Sequence, residues 1–317
     1  NAELNNYRKA LDAHCNTEFG VFCDRYSKYL PDGIWERMQK ECNGAVEQLD
    51  FIYKRCAEVG QKIYLFIDEY DHFTNKILAE PGCLDDYRSE THGTGYLRNF
   101  FDTIKAGTDS SIERVFVTGV SPVTMDDLTS GFNIGTNYTL NYEFNEMVGF
   151  TENEVRAMLT YYTDFCNLHK YTVDELIEIM KPWYDNYCFA EDAYGETTMY
   201  NSNMVLYFID NYVGSKGRLP RNMVEENIRV DYNKLRMLIH RDKEKPYSII
   251  RQLMDKGSVT GELITGFPIE KITEYEYFLS LLYYQGVLTI SGRYHGMTVF
   301  TLPNNSMRMI LDYLLAD

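Results

Sequence analysis

The stretch that decides the fold runs from Ile63 to Phe73 and reads Ile-Tyr-Leu-Phe-Ile-Asp-Glu-Tyr-Asp-His-Phe. Its five leading apolar residues, mostly β-branched or aromatic, are typical of a strand buried on both faces in a parallel sheet covered by helices. Asp68 and Glu69 follow directly, where such a strand would leave the sheet at its carboxyl end. Open α/β sheets bind ligands at that end of their strands, so we expect a ligand site at these two acids.

Two adjacent acids at a strand end suit nucleotide hydrolysis. Asp68 would hold Mg²⁺, directly or through water, and Glu69 would orient or deprotonate the attacking water. This is the Walker B arrangement in its Asp-Glu form. The alternative is a solvated turn made by Asp68, Glu69 and Asp71, because acids often follow core strands.

A second apolar run, Arg114–Val120, reads Arg-Val-Phe-Val-Thr-Gly-Val. In a three-layer sheet we expect this strand beside the acidic one, with the Thr118 hydroxyl directed towards the γ-phosphate and the attacking water, as a sensor. The alternative is a strand-end threonine that bonds its own backbone.

The phosphate-binding half of an ATP site is absent from the 317 residues. No Gly-x-x-x-x-Gly-Lys-Ser/Thr occurs, and the nearest glycine-rich piece, Gly131–Gly135, has no Lys-Ser or Lys-Thr after it. Such a loop supplies backbone N–H donors and a lysine to the phosphates. Residue 1 is Asn rather than Met, so we expect the true beginning of the protein to lie upstream of Asn1.

The rest of the amino-terminal half reads as helices and one long loop. Residues 1–62 show helical patterns and no convincing strand, with an apolar stripe that runs towards Ile63. The polar stretch Phe73–Tyr96 lacks clear periodicity and predicts a functional loop or a mobile excursion. Leu97–Ile104 predicts a short amphipathic helix. The stripe consists of Val46, Leu49, Ile52 and Tyr53.

Helices dominate from residue 150 to about 215. Thr151 with Glu154, and Thr172 with Glu175, are capping boxes placed before apolar stripes, so each predicts a helix start. The aromatic segment Trp183–Tyr187 predicts a packed corner rather than a catalytic element.

The last third predicts a winged-helix-like module. Residues 216–256 carry 11 Lys+Arg against 6 Asp+Glu, most simply a solvated helical face. From Tyr277 the pattern is helix, strand (Val287–Ile290), turn (Ser291–Gly296), strand (Met297–Leu302) and helix. Such modules bind DNA or serve as structural lids.

Composition indicates an ordinary soluble chain of two or three domains, 44% hydrophobic and 25% charged. The net charge is uneven: residues 1–215 carry −18 and residues 216–317 carry +2, so only the last third tolerates nucleic acid. No apolar run approaches about 20 residues and no signal peptide is visible, so we expect no membrane segment and a cytoplasmic location. The seven cysteines form no Cys-x-x-Cys pair and predict reduced core residues.

In the order and spacing of these motifs, the chain resembles the predicted AAA-ATPase-like family of prokaryotic P-loop proteins. The similarity runs over most of residues 45–317 and includes Tyr200-Asn201 and Leu302-Pro303-Asn304. The resemblance implies an upstream phosphate loop, a following PD-(D/E)xK nuclease-like domain, and the roles already given to Asp68, Glu69 and Thr118. The chain departs from the family at two positions, with Asn186 where Gly is usual and Cys188 where a basic residue is common.

We therefore predict an α/β protein with a P-loop NTPase-type parallel sheet and flanking helices in residues 1–149, a helical lid domain in 150–215 and a winged-helix-like domain in 216–317. Its cofactors would be ATP and Mg²⁺, and hydrolysis would switch the attached domains. The alternative function is a non-catalytic module that binds DNA or a protein through the last domain, with Arg236 and Arg241 as contacts.

Three questions stay open at the level of sequence. Nuclease activity within this chain is not favoured, because Glu244-Lys245 and Glu270-Lys271 lack the Glu-x-Lys spacing. The oligomeric state is not indicated. Four arginines are equal candidates for an arginine finger, namely Arg88, Arg98, Arg114 and Arg156.

Overall fold

A computed structural model of the chain describes residues 2–74, 84–120, 122, 135–225, 232, 235 and 245–315. The fold is mixed α/β and divides into two compact units. Unit 1 comprises Asn1–Thr136 and Gly266–Ile269, and unit 2 comprises Asn137–Thr265 and Glu270–Asp317. Short 3-10 turns occur at Ser27–Tyr29, Tyr142–Phe144, Glu191–Ala193 and Ile269–Lys271. The three-domain division at 149 and 215, like the P-loop, lid and winged-helix arrangement, stays a prediction.

Unit 1 contains five described helices and a two-stranded sheet. The helices are α1 (Ala2–Arg25), α2 (Ile34–Glu41), α3 (Ala45–Glu58), α4 (Leu84–Thr91) and α5 (Tyr96–Thr108), and the strands are β1 (Ile63–Ile67) and β2 (Ile112–Val117). The predicted helices before Ile63 are confirmed, and so is the helix at Leu97–Ile104, which is longer than its sequence pattern.

The apolar stripe of α3 forms part of the core of unit 1. Leu49, Ile52 and Tyr53 are buried, whereas Val46 is half-buried. Asp12 of α1 fixes the start of α3, because its Oδ1 accepts the Ala45 N–H at 2.6 Å. The same oxygen accepts the Tyr96 hydroxyl of α5. One carboxylate therefore joins three helices around this core.

The strands β1 and β2 are parallel neighbours, as their sequences predicted. Phe66 lies opposite Phe116 and Ile67 opposite Val117. The expectation that β1 is buried on both faces is wrong, because Tyr64 and Phe66 are 59% and 71% exposed. Residues alternate between the two faces of a strand, and within the described residues helices cover only one of those faces.

The polar stretch after Phe73 was predicted as a loop, which is wrong for Leu84–Thr91, because these residues form α4. The buried face of α4 combines Tyr87 with the polar Glu90 and Thr91, so its apolar periodicity is weak. Glu90 is fully buried and accepts the Arg8 Nε–H of α1 at 3.0 Å. A buried carboxylate needs such a partner, and this one comes from a residue 82 positions earlier.

Unit 2 begins with a helical part. Its helices are α6 (Glu152–Phe165), α7 (Val173–Tyr184) and α8 (Ser202–Gly214). Both predicted capping boxes are confirmed: Thr151 and Thr172 accept the N–H of Glu154 and Glu175, whose carboxylates accept in return. The three helices share one apolar core, which includes Val155, Leu159, Leu176, Tyr184, Val205 and Phe208.

The second part of unit 2 combines helices with an antiparallel sheet. Helices α9 (Lys245–Lys256), α10 (Tyr275–Tyr284) and α11 (Asn305–Leu315) accompany strands β3 (Ser258–Gly261), β4 (Thr289–Tyr294) and β5 (Met297–Thr301). The strand order is β3-β5-β4. The turn predicted at Ser291–Gly296 is too long, because β4 continues to Tyr294 and only His295 and Gly296, both with positive φ, make the turn.

The aromatic corner, Trp183–Tyr187, is packed as predicted and joins the end of α7 to the start of α11. Tyr184 and Asp185 are buried. The Asn304 amide donates to the Asp185 carbonyl at 2.9 Å, and the Ser306 hydroxyl donates to the Trp183 carbonyl at 2.7 Å. Asn186 has a φ of 83° and donates from its side chain to the Pro303 carbonyl at 3.0 Å.

Several predicted features lie outside the described residues, including Cys83, most of Gly131–Gly135, Arg236 and Arg241. The six described cysteines are free, and Cys23, Cys56 and Cys188 are buried. Among the described helices, none combines the length and apolar character that a bilayer crossing requires.

Candidate functional site

The ends of β1 and β2 bring Asp68 and Thr118 into contact. The Thr118 hydroxyl donates to Asp68 Oδ1 at 2.5 Å. This contact differs from the alternative in which Thr118 bonds its own backbone. The predicted pair of residues is therefore assembled at the carboxyl edge of the parallel sheet, where ligands bind in open α/β folds.

The acidic turn, Asp68–Asp71, contains one residue more than a regular ladder allows. The Thr118 N–H donates to the Ile67 carbonyl at 2.8 Å, and the Thr118 carbonyl accepts from Tyr70 N–H at 3.0 Å. In an uninterrupted parallel ladder that donor would be residue 69. Glu69 is thus the extra residue of a bulge, and its φ is 53°.

This conformation at Glu69 is unusual for a residue with a side chain. A positive φ costs about 1–3 kcal/mol outside glycine, and such residues cluster at functional sites. Bulges likewise occur beside active sites, where they change the direction of a side chain. Sequence patterns missed this feature, because a solvent-facing Glu after a strand carries no signal for positive φ.

The Glu69 carboxylate projects into solvent. Its side chain is 67% exposed, and Oε2 lies 3.3 Å from Nδ1 of His72. The His72 N–H also donates to the Glu69 carbonyl at 2.8 Å, which closes a short turn. The Glu69 carboxylate is therefore accessible to solvent and only loosely paired.

Asp71 and Gly119 are two further residues of the site whose positions the sequence did not predict. Asp71 is buried, and its Oδ1 accepts the Val120 N–H at 3.3 Å. A Cβ built on Gly119 would overlap the Tyr70 ring and lie 2.9 Å from Asp71 Oδ1. The acidic turn and the second turn, Thr118–Val120, therefore lie against each other without space for a side chain at position 119.

The donor set at Asp68 fits a magnesium ion that is also held by phosphates and water. Asp68 is exposed, and its Oδ1 accepts from Thr118 and from the Glu69 N–H at 3.0 Å. No group of three or more His, Cys, Asp or Glu suited to a metal occurs in the described ranges. Mg²⁺ commonly binds one or two carboxylates and keeps its remaining ligands as water and substrate phosphate.

Next to the site, the sheet carries an aromatic face made by Tyr64, Phe66 and Phe116. Phe66 and Phe116 have ring centroids 6.2 Å apart, and Phe116 is 44% exposed. Asp68 and Thr118 follow these phenylalanines at alternate positions, which places all of them on the same side of the sheet. Neighbouring exposed aromatic residues of this kind mark surfaces that bind another chain segment.

The four candidate arginines differ in their surroundings. Arg88 and Arg98 each lie near an acid of the same helix, Asp85 at 3.9 Å and Asp102 at 3.8 Å. Arg156 is paired with two acids in unit 2. Arg114 lies opposite Tyr64 on the sheet and has no ion pair among the described residues. These contacts assign no arginine finger.

Comparison with known proteins gives one result. No curated protein and no solved structure matches the chain. A protein-family model does match, over a segment that contains α1 to β2, the acidic turn and Thr118, and that ends before unit 2 begins. Residues 2–129 are similar to the family described as "Predicted AAA-ATPase".

Proposed function

We propose that this chain is part of a P-loop ATPase that binds and hydrolyses ATP with Mg²⁺ and acts as a nucleotide-dependent switch for its attached domains. The observation that carries the proposal is the Asp68–Thr118 contact at the carboxyl edge of a parallel sheet, with Glu69 projecting from a bulge beside it. The family match over residues 2–129 supports the same activity class.

Each residue has a defined role in this proposal. Asp68 would hold Mg²⁺ directly or through water, and the ion would neutralise charge on the transferring phosphoryl group. Glu69 would orient the attacking water and take its proton. Thr118, now donating to Asp68, would redirect its hydroxyl to the γ-phosphate when nucleotide is bound, so its hydrogen bond would report the nucleotide state.

The phosphate loop would come from residues outside the 317-residue sequence. The aromatic face supports this arrangement, because two parallel strands with an exposed apolar side form an incomplete layer. A further segment packed on Tyr64, Phe66 and Phe116 would bury that side. It would also approach Asp68 and Thr118, which lie on the same side of the sheet.

A titration with MgATP tests the proposal, with binding and turnover followed in the same samples. The 317-residue chain is compared with a longer product of the same gene that includes a Gly-x-x-x-x-Gly-Lys-Ser/Thr loop. We expect binding and turnover in the longer product only. If the longer product neither binds nor hydrolyses ATP, the proposal is wrong, and Asp68, Glu69 and Thr118 are then a scaffold.

A second candidate function is binding of DNA or a protein through residues 216–317. Its support is the strand order β3-β5-β4 with helices α9 and α10 before and after β3, an order typical of winged-helix modules, and the charge of +2 in this part of the chain. A duplex-DNA titration at low and high salt tests it. DNA binding that weakens steeply with salt and with charge reversal at Arg236 and Arg241 supports this function. If no binding is seen at low salt, DNA is excluded as a ligand of residues 216–317.

A further inference from the structure

We propose that Asp71 and Gly119 are positioning residues that hold the acidic turn against the second turn, and thereby fix the catalytic geometry of Glu69 and Thr118. This inference rests on the proposed function for the reaction itself. The contact between the two turns stands on its own geometry, and the experiment below measures it separately.

Two backbone hydrogen bonds place Thr118 but leave the bulge free to change shape. They are the bond from Thr118 N–H to Ile67 and the bond from Tyr70 N–H to Thr118. Both lie before Gly119. Beyond that point the ladder ends, and the two turns are joined by a further contact that reaches Val120.

Asp71 supplies that contact. Its carboxylate is buried and accepts the Val120 N–H, two residues after Thr118. The Asp71 carbonyl also accepts the Thr74 hydroxyl at 3.0 Å. A buried hydrogen bond to a charged group contributes more to stability than a neutral one. Asp71 therefore holds the end of the bulge that the hydrogen bonds of Thr118 do not reach.

Gly119 makes the close approach possible. Because a Cβ there would overlap the Tyr70 ring, only glycine lets that ring lie over the second turn. The φ of Gly119 is not positive, so alanine is compatible with its backbone, and the requirement is one of space. An alanine would have to displace Tyr70, whose N–H is one of the ladder donors.

The contact explains how a strained residue keeps a single conformation. Glu69 has a positive φ, and among the described residues its own hydrogen bonds reach only Asp68 and His72 in the same turn, so they do not attach it to the rest of the sheet. Residues on both sides of it are held instead, at Ile67 and at Tyr70 with Asp71. A small displacement of a catalytic group lowers turnover strongly, so loss of this contact would lower kcat more than nucleotide affinity.

Amide hydrogen exchange of Val120 and Tyr70 in the 317-residue chain, without nucleotide, tests the contact between the turns. Asp71→Ala should speed exchange of the Val120 amide by about tenfold, whereas Asp71→Asn, which keeps an acceptor oxygen, should change it far less. Gly119→Ala should speed exchange at both Tyr70 and Val120, and adding Tyr70→Ala should restore slow exchange at Val120. Unchanged exchange in both Asp71→Ala and Gly119→Ala overturns the proposed contact.

Turnover in the longer product then tests positioning. Asp71→Ala should lower kcat at least tenfold with the KM for ATP within about twofold, and Asp71→Asn should recover most of that loss. Equal kcat in Asp71→Ala and the parent overturns the positioning role. If the parent itself has no turnover, the proposed function fails, and the exchange result alone decides whether the two turns are joined.

Discussion

The acidic turn and the aromatic corner are both unusual in sequence, yet they are built in opposite ways. The acidic turn is polar, exposed at Asp68 and Glu69, and contains a residue with positive φ. The aromatic corner is buried, and its backbone carbonyls accept hydrogen bonds from residues more than 100 positions away. The acidic turn therefore presents carboxylates to solvent, whereas the aromatic corner presents no ionised group.

From this contrast we expect chemistry at the acidic turn and a purely structural role for the aromatic corner. Large aromatic residues such as Tyr184 bury area and stabilise a fold. Glu69 is exposed and has a positive φ, so it buries little area and adds backbone strain, and residues of this kind cluster at functional sites. Substitutions in the two regions should therefore affect different quantities: turnover at the acidic turn and the free energy of unfolding at the aromatic corner.

The largest effect is expected at Glu69. In the longer product, Glu69→Gln should lower kcat by about 10²- to 10⁴-fold, because the amide cannot accept the proton of the attacking water. ATP binding and thermal stability should be unchanged. Glu113→Gln, at an exposed acid on β2, is the matched control and should keep full turnover. Equal turnover in Glu69→Gln and the parent would remove the role assigned to Glu69.

Next comes the stability of the aromatic corner. Tyr184 is fully buried and its hydroxyl donates to the Met223 carbonyl at 2.6 Å, so Tyr184→Ala should cost about 3–5 kcal/mol. Phe66→Ala, at a 71% exposed residue of the aromatic face, should cost under about 1 kcal/mol in this chain.

Urea denaturation measures both variants. The two tryptophans are Trp35 in unit 1 and Trp183 in unit 2. A Trp35→Phe background therefore reports on Tyr184→Ala through Trp183, and a Trp183→Phe background reports on Phe66→Ala through Trp35. A Tyr184→Ala protein with unchanged unfolding midpoint would contradict the structural role of the corner. A large loss of stability in Phe66→Ala would show that the aromatic face is already covered in solution.

A smaller effect is expected at Asn186, where φ is 83°. Asn186→Ala places a Cβ in a conformation that favours Gly and tolerates Asn, so it should cost about 1–2 kcal/mol. Asn186→Gly loses only the bond to Pro303 and should cost less. The urea midpoints of Asn186→Ala and Asn186→Gly, both in the Trp35→Phe background, show which variant is more stable. A Gly variant less stable than the Ala variant would contradict this conformational explanation.

The smallest effect concerns Glu152, which joins α6 to α7. Hydrogen bonds from Lys181 and then Arg156, both at 2.9 Å, lower the pKa of this carboxyl from its ordinary value of 4.5. A lowered pKa in the folded state stabilises the protein fully above pH 4.5, and the stabilisation is lost as pH falls through the lowered value. Glu152→Gln should therefore be less stable than the parent at pH 7 and equally stable in acid. Thermal melts of Glu152→Gln and the parent, from pH 7 down to below pH 4.5, measure the difference in stability. If the variant is still less stable than the parent in acid, the lowered pKa of Glu152 is not the cause.

Local sequence patterns were sufficient for much of the fold and for the pair at the site. The capping boxes at Thr151 and Thr172 lie within four residues and can be read directly. The position of Asp68 and Thr118 at one edge of the sheet followed from two apolar runs and the rule that parallel strands end at the same edge, whereas the hydrogen bond between them was not predicted. Asn186 has a positive φ, a conformation that glycine adopts readily and Asn tolerates.

The features that were missed depend on distant residues. The burial of Glu90 on α4 depends on Arg8, and the short strand β3 depends on pairing with β5 about 40 positions later. Whether a face of β1 is exposed depends on which layers cover the sheet. A run of five apolar residues does not specify those layers. The positive φ of Glu69 depends on the Tyr70–Thr118 hydrogen bond, which closes over about 50 residues.

The hydrogen bonds of the aromatic corner also set an order of events during synthesis. Trp183 and Asp185 accept from Ser306 and Asn304, which lie 123 and 119 positions later. At about 5–20 residues per second, a ribosome needs roughly 6–24 s to make that interval. Until α11 is made, the helical part of unit 2 lacks the donors for these two carbonyls, so it reaches its final form only after α11 has left the ribosome.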